Sequence, residues 1–178
     1  MSVTLNAYRT TWGWIAIAAT DEGLLGTTLP AESRELALAP LVRRWPDARV
    51  GETAWAAGIS RRLARYFMGE DVSFCDIALV LGQSTDFQTR VWKVVRSIPR
   101  GQVRAYGWVA AEAGSPRSAR AVGQAMAGNP FPLIVPCHRV IGKEGRLTGF
   151  GGGLEMKRRL LELEGVHTDC RRVLTSLV

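Results

Sequence analysis

The first half of the chain alternates between short apolar runs and breaks made of glycine or charged residues. Four runs have the length and alternation of β-strands, and they lie at residues 3–8, 14–20, 23–29 and 76–81. Apolar residues also recur at helical spacing over residues 33–45 and 52–69, which predicts two helices. The pattern therefore predicts a mixed α/β domain over residues 1–83.

The second half has helical spacing over most of its length. Thr85 and Gln88 stand three residues apart at the start of an apolar stripe, as in a capping box, and predict a helix that ends near Ile98. Further helices are predicted over residues 106–113 and 116–127, each followed by a glycine. Two short helices joined by a glycine-containing turn are typical of a helix-turn-helix, although most such patterns are only packed helix pairs.

The helix predicted over residues 116–127 begins at a serine–proline pair, with Ser115 as its N-cap and Pro116 as its first residue. Helical periodicity puts two arginines and two shorter or neutral residues on its exposed face: Arg117, Arg120, Ala121 and Gln124. Such a basic face with few long side chains can approach a nucleic-acid backbone closely. The simpler interpretation is that these arginines only meet water.

The distribution of charge favours the nucleic-acid interpretation. The first 83 residues hold eight arginines and nine acidic residues, a net charge of −1, whereas the remaining 95 hold fifteen basic and seven acidic residues, a net charge of +8. A basic surface confined to one half of the chain is what binding to phosphates requires. Arginines that served only solubility would be spread evenly.

The composition also narrows the location and the redox chemistry. The sequence contains no run of about 18 apolar residues and no signal peptide, so a cytoplasmic protein is predicted. Its three cysteines, Cys75, Cys137 and Cys170, are widely spaced and are predicted to be free thiols. Residues 1–83 contain one cysteine and no histidine, which predicts no structural zinc, and no cofactor is predicted.

One short segment brings together two residues that carry chemistry. Cys137 and His138 are adjacent within the apolar segment LIVPCHRVI at residues 133–141. A thiol with a pKa of about 8.5 is only a few per cent ionised at neutral pH, so a nucleophilic cysteine needs a base nearby. The alternative is an inert core cysteine, which is the commoner fate of a free thiol.

The second half closely resembles the O6-alkylguanine-DNA alkyltransferases, also called methylated-DNA–protein-cysteine methyltransferases. Six segments carry the resemblance in one order: TDFQTRVW (85–92), IPRGQVRAYG (98–107), ARAVGQAMAGNP (119–130), IVPCHRVIG (134–142), LTGFGGG (147–153) and KRRLLELEG (157–165). The resemblance implies an α+β protein. An N-terminal ribonuclease-H-like α/β domain (1–83) would precede a mainly helical, winged helix-turn-helix-like domain (84–168) and a tail (169–178).

The activity implied by this resemblance is DNA repair by direct reversal of damage. A damaged base is flipped out of duplex DNA, and the alkyl group on O6 of guanine, or on O4 of thymine, moves irreversibly to Cys137 in a single turnover. The implied partner is double-stranded DNA, bound through its minor groove by a monomer, with cooperative binding left open. In a prokaryote such a protein would be associated with the nucleoid.

The resemblance also implies roles for individual residues. Cys137 is the nucleophile, His138 its base through a water molecule, and Glu164 the acid that orients His138. Tyr106 donates a proton to N3 of the leaving guanine, and Lys157 supports the charged form of the site. The implied substrate-binding residues are Arg120, a finger that fills the vacated stack, the hinge residue Asn129, and Met126, Val140, Phe150 and Gly151.

The helix predicted over residues 116–127 would face the DNA and supplies three implied DNA contacts, Arg117, Ala121 and Gln124. Further candidates for DNA contacts are Gln88, Arg90 and Arg104. The chain departs from several relatives at Gly151, where they have serine, and at Ala127, where some have a further arginine. The first change is expected to alter the rim of the pocket, and the second to weaken a phosphate contact.

Two other functions stay open at this point. The first is a damage sensor that flips the base without reacting, although relatives of that kind usually lack the cysteine. The second is a helix-turn-helix regulator with an unrelated redox cysteine. Singly, Tyr106 could be core packing and Asn129 a helix stop before a proline, but these simpler explanations do not account for all the segments in one order.

Overall fold

The structure is a computed structural model that describes residues 2–169 and 171–174. The chain divides into two compact units. The first contains the chain up to Gly82 together with Pro130–Ile134, and the second contains Gln83–Asn129 and the chain from Val135 onwards. The sequence predicts a second domain over residues 84–168, which would include residues 130–134. In the structure these five residues belong to the first unit instead. Cys170 and residues 175–178 of the predicted tail lie outside the described residues.

The first unit is a sheet with helices. Its elements are β1 (Thr4–Thr10), β2 (Gly13–Thr20), β3 (Gly23–Thr27), α1 (Arg34–Arg44), β4 (Arg49–Val50) and α2 (Ala54–Phe67). The strand order is β3-β2-β1-β4, with antiparallel pairing except between β1 and β4. Apolar side chains of β1, β2 and α1 form one cluster of its core: Leu5, Ala7, Ala16, Ala18, Ala37, Leu38 and Leu41.

The second unit is mainly helical. Its elements are α3 (Asp86–Arg96), β5 (Arg104–Ala105), α4 (Tyr106–Glu112), α5 (Ala119–Ala127), β6 (Val140–Ile141) and α6 (Gly153–Leu163). The short strands β5 and β6 pair in parallel. A core cluster packs α6 against the segments around these strands: Val103, Ile141, Leu147, Leu161, Val166 and Val173. Together the two units make a mixed α+β protein.

Side-chain caps explain where three of the helices begin. The hydroxyl of Thr85 accepts the Gln88 amide, and the Gln88 side chain accepts the Thr85 amide, which confirms the predicted capping box at α3. Ser33 and Thr53 cap α1 and α2 in the simpler way, each accepting one amide of the first turn. These caps satisfy amides that have no partner within the helix.

Two predicted elements differ in the structure. Residues 76–81 form no named strand, and only a bridge between Leu24 and Leu79 remains of the expected pairing. The helix expected from Pro116 begins at Ala119 instead, and its N-cap residue is Ser118 rather than Ser115. Within the described residues, no helix is both long enough and apolar enough to cross a membrane.

Candidate active site

Cys137 lies on a tight turn that leads into β6. Residues Cys137–Arg139 form one turn of 3-10 helix, in which the Arg139 amide donates to the Pro136 carbonyl at 2.9 Å. The Cys137 amide donates to the Val135 carbonyl at 2.8 Å. The turn is therefore fixed by backbone bonds on both sides of a partly buried thiol.

The end of α5 is tied to this turn by one side chain. Asn129 follows the C-cap residue Gly128, and its Nδ2 donates to the Val135 carbonyl at 3.0 Å. Val135 is two residues before Cys137. A displacement of α5 would therefore be felt directly at the cysteine turn.

Four charged or titratable side chains, His138, Arg139, Lys157 and Glu164, lie close to the cysteine and are called here the buried cluster. Nε2 of His138 is 2.8 Å from Oε1 of Glu164, and both residues are buried. Arg139 donates two hydrogen bonds to the same carboxylate, with Nε 2.8 Å from Oε2 and Nη2 2.9 Å from Oε1. Its Nη1 donates to the Ile98 carbonyl at 2.6 Å. Glu164 is thus shared between the histidine and an arginine.

The backbone at Glu164 lies very close to the turn that follows α3. Gly101 has a φ of +76°, and a Cβ at this position would lie 3.2 Å from the Glu164 carbonyl oxygen. Glycine therefore permits both the left-handed turn after α3 and its contact with the end of α6. Arg100 adds a hydrogen bond from Nη2 to the Leu163 carbonyl at 2.7 Å.

The environment sets the protonation of the histidine and its acid. Burial lowers the pKa of His138, although Glu164 opposes this. Burial alone would raise the pKa of Glu164, but His138 and the Arg139 guanidinium together hold it well below its usual range. At neutral pH the carboxylate is ionised and the imidazole is neutral, which is the state in which a histidine can accept a proton.

Lys157 is fully buried yet well provided with acceptors. Its Nζ donates to the carbonyls of Val140 at 2.6 Å and Thr148 at 2.9 Å, and it lies 5.9 Å from the centre of the Tyr106 ring. Burial lowers the pKa of Lys157 to about 8, and a Cys137 thiolate would raise it. The site therefore holds a cation near the thiol, and this cation can be lost in mildly alkaline solution.

Burial raises the pKa of the Cys137 thiol. The Asn129 side chain, the charge of Lys157 and the backbone of the turn act in the opposite direction without cancelling that effect. The resting cysteine is therefore a neutral thiol, and it needs a proton acceptor before it can attack an alkyl carbon.

Cys137 also lines an open cavity of about 550 Å³. Its lining includes six of the residues predicted for the site: Tyr106, Arg120, Met126, Cys137, Phe150 and Gly151. The remaining predicted residues, His138, Glu164, Lys157, Asn129 and Val140, do not line it and instead surround the cysteine turn. The structure thus places the predicted residues either in the lining of one cavity or around the cysteine turn beside it.

The predicted DNA contacts fall into two groups. Arg117 and Gln124 are exposed at and before α5, and Ala121 is half-buried on the same helix. The other three side chains are already engaged, because Gln88 completes the capping box, Arg90 donates to the Ala113 carbonyl, and Arg104 bonds to Gln102 beside the Trp108 ring. The first group is the one presented on a free surface.

The sequence interpretation missed two residues of the site. Arg139 shares the Glu164 carboxylate with the histidine, and Thr148 lines the cavity and gives its carbonyl to Lys157. An arginine directly after the Cys-His pair was a usable signal, because a buried carboxylate needs a cation. No pattern marked Thr148. Among the described residues, no group of three histidine, cysteine or acidic side chains is placed to hold a metal ion.

Comparisons with known proteins identify the family to which the chain belongs. Residues 86–166 match the family described as 6-O-methylguanine DNA methyltransferase, DNA binding domain. A methylated-DNA–protein-cysteine methyltransferase of Methanosarcina acetivorans is 40% identical over 153 residues, which cover 86% of this chain and 92% of that protein. The chain therefore belongs to the methylated-DNA–protein-cysteine methyltransferase family.

Mycobacterial relatives have a higher sequence identity to this chain, but the alignment is shorter. The Mycobacterium tuberculosis enzyme of the same name is 54% identical over 108 residues, 61% of this chain and 64% of that protein, so this alignment spans less than two thirds of the relative. The crystal structure of Mycobacterium tuberculosis OGT in complex with DNA has a TM-score of 0.75 and 39% identity, covering 91% of this chain and 92% of that one.

Proposed function

We propose that this protein repairs DNA by moving the alkyl group from O6 of guanine to Cys137, once per molecule. The observation that carries the proposal is the position of Cys137, which lines an open cavity while its own turn leads into a buried His138–Glu164 pair. This arrangement combines a nucleophile, a base and an acid that orients the base. The family's enzymes are named for transfer to a cysteine.

The reaction begins with activation of the thiol. The thiol proton of Cys137 passes through a water molecule to Nδ1 of His138, whose Nε2–H donates to Glu164. The imidazolium that forms is stabilised by the Glu164 carboxylate at 2.8 Å. Arg139 holds that carboxylate in place and ionised.

Transfer then exchanges one bond for another. The thiolate attacks the alkyl carbon, a carbon–sulfur bond forms, and the bond from that carbon to O6 breaks with its electron pair left on the guanine. Tyr106 gives its phenolic proton to N3, and the proton held by His138 returns through solvent to the phenolate. Lys157, 5.9 Å from the Tyr106 ring, supports negative charge first on sulfur and then on the phenolate.

The cavity provides the place for an extrahelical base. Its volume of about 550 Å³ lies within the range of about 300–1,000 Å³ that is usual for small-molecule sites. Phe150 and Met126 offer apolar surface to the base, and the backbone near Gly151 faces O6. The Val140 carbonyl has a second lone pair for the exocyclic amine, but it does not line the cavity in the resting protein and would have to become accessible when the base enters. O4 of alkylated thymine would enter the same cavity.

Base flipping costs a few kcal/mol of stacking and pairing, so the vacated space needs an occupant. Arg120 is exposed at the cavity on α5, and its planar guanidinium can stack there and bond to the unpaired cytosine. With Arg117, Ala121 and Gln124 it forms a face of α5 that would lie in the minor groove. Gln88, Arg90 and Arg104 would have to exchange their present partners for phosphates.

The finer description of the fold belongs to the same proposal. We assign the first unit as the ribonuclease-H-like domain of this family, and the second as its winged helix-turn-helix-like DNA-binding and alkyl-acceptor domain. The protein would bind DNA as a monomer in the cytoplasm, without a cofactor or a metal. Cooperative binding along DNA is open to measurement.

The proposal is tested by incubating the protein with duplex DNA that contains O6-methylguanine and mapping the product by peptide mass spectrometry. We expect one methyl group on Cys137 and none after Cys137→Ala. Cys75→Ala is the matched control, because Cys75 is an exposed free thiol in the first unit. Damage-specific binding without transfer would replace the proposal with the damage-sensor function.

A further inference from the structure

The cavity contains a buried hydroxyl to which the proposed mechanism gives no role. Thr148 lines the cavity, and its Oγ1 is shielded from solvent and has no hydrogen-bond partner among the described residues. Buried polar atoms are nearly always hydrogen-bonded, because burying them without a partner is costly. A buried hydroxyl of this kind beside a substrate cavity points to a hydrogen bond that is made only during the reaction.

Two contacts fix the orientation of the Thr148 side chain and therefore the direction of its hydroxyl. The Thr148 carbonyl accepts a hydrogen bond from Lys157 at 2.9 Å, which anchors the backbone. The Thr148 methyl group faces Gly142, where a Cβ would lie only 3.1 Å from Cγ2. Threonine is stiff about χ1, so a methyl group held on one side places the hydroxyl on the other.

The neighbour that matters is Tyr106, which lines the same cavity. Burial raises the pKa of the Tyr106 phenol, and the nearby Thr148 side chain acts against this, although the two side chains do not reach hydrogen-bond geometry in the resting protein. A threonine hydroxyl can donate to the phenolic oxygen while the phenol donates its own hydrogen elsewhere. Such a chain strengthens as charge develops on the middle oxygen.

We propose that Thr148 is a positioning residue for Tyr106, whose phenolic oxygen accepts the Thr148 hydroxyl while the phenol donates to a base held in the cavity. This inference rests on the proposed alkyl transfer, in which Tyr106 protonates the leaving guanine. Thr148 then aligns the phenol with N3 and stabilises the phenolate that forms as the proton leaves.

The test compares Thr148→Val, which keeps the shape but loses the hydroxyl, with Thr148→Ser, which keeps the hydroxyl. Single-turnover transfer from duplex DNA containing O6-methylguanine should be roughly three- to tenfold slower in Thr148→Val, as for the loss of one neutral hydrogen bond. Thr148→Ser should stay close to the unsubstituted protein. The melting temperature of Thr148→Val should not fall, because the variant removes a hydroxyl that lacks a partner in the resting state.

The control variant is Thr168→Val. Thr168 belongs to the same unit but donates to Glu162 at 2.8 Å and does not line the cavity, so its loss should leave the transfer rate unchanged. A drop in melting temperature with equal slowing in Thr148→Val and Thr148→Ser would show a packing role and overturn the inference. So would a Thr148→Val protein as fast as the unsubstituted one.

A double-mutant cycle shows whether Thr148 acts through Tyr106. In a Tyr106→Phe background the Thr148→Val change should have little further effect, since the phenolic oxygen is gone. Equal slowing in both backgrounds would overturn the positioning role. Absence of transfer by the unsubstituted protein would instead overturn the proposed function, and this inference with it.

Discussion

The buried cluster and the open cavity both adjoin one thiol and differ in almost every physical respect. The cluster is buried and charged, with one carboxylate held by both a histidine and an arginine. The cavity is open and has short or apolar walls, and among the described residues that line it only Arg120 is charged. Proton transfer benefits from fixed charges shielded from water, whereas a flipped base needs space and apolar surface.

This difference sets what a substitution can do in each region. Removing one partner of a buried charged group leaves another charge without compensation, which costs about 3–5 kcal/mol of stability. A change on the cavity wall leaves the core packing largely as it was. Substitution of Glu164 or Arg139 in the cluster should therefore reduce both stability and rate, whereas substitutions in the cavity should reduce rate or substrate choice alone.

The largest effect is expected at the boundary between the two regions. Cys137→Ser should abolish transfer of the alkyl group, because the serine hydroxyl is a far weaker nucleophile at neutral pH. The variant should still bind damaged DNA, since the cavity and α5 are unchanged. Transfer is measured with radiolabelled alkylated duplex and binding by fluorescence anisotropy. Residual transfer by Cys137→Ser would show that another residue accepts the group.

The next largest effect is expected inside the buried cluster. Glu164→Gln should slow transfer by roughly 10²-fold or more, the scale of a lost acid–base contribution, and lower the free energy of unfolding by about 3–5 kcal/mol. Single-turnover rates and urea unfolding measure the two effects.

Glu162→Gln is the matched control for this change. Glu162 lies on the same helix but pairs with Arg158 at the surface, a contact worth at most about 1 kcal/mol. Similar behaviour of Glu164→Gln and Glu162→Gln would contradict the difference drawn between the buried and the exposed carboxylate.

The sequence was informative wherever a feature is local. The capping box of Thr85 and Gln88 and the adjacency of Cys137 and His138 involve neighbours along the chain, and the structure contains both as predicted. The mixed α+β class followed in the same way from periodicity, and the family resemblance is confirmed by the relatives. These features depend on few residues and little tertiary context.

Features that depend on distant partners could not be predicted. Residues 76–81 have the pattern of a strand, yet Leu24 exchanges only two backbone hydrogen bonds with them, through Ala78 and Val80. Arg139 stands beside the Cys-His pair, which marks it as a candidate, but its carboxylate partner is 25 positions away and can be identified only when α6 is folded. The start of α5 was placed too early because a serine–proline pair marks turns as readily as helix starts.

A moderate effect is expected from the cavity wall. Arg120→Ala should slow repair of duplex DNA by roughly 10- to 100-fold, because a flipped base costs a few kcal/mol and the vacated stack stays empty. Reaction with a free O6-alkylguanine base, which needs no flipping, should keep its rate. The ratio of the two rates measures the effect, and equal loss on both substrates would contradict the role of Arg120 in flipping.

The smallest effect is a pH dependence carried by Lys157. Its pKa of about 8 means that the cation is lost above that pH, so the transfer rate should fall several-fold from pH 7 to 9. The rate should stay level into mildly acidic solution, because burial holds the pKa of His138 below its ordinary value. In Lys157→Met the plateau should be lower and the alkaline fall through pH 8 should disappear.

The free energy of unfolding should rise with pH over the alkaline range in which the transfer rate falls. The pKa of Lys157 is about 8 in the folded chain and about 10.5 in the unfolded chain, so between these values the unfolded chain binds more protons. The contribution of this residue to the free energy of unfolding therefore rises with pH, by about 3 kcal/mol between pH 8 and 10.5. Urea unfolding of the unsubstituted protein and of Lys157→Met isolates that contribution as a difference. A difference that does not change with pH would mean that the buried ammonium keeps its ordinary pKa, and the alkaline fall in rate would then need another source.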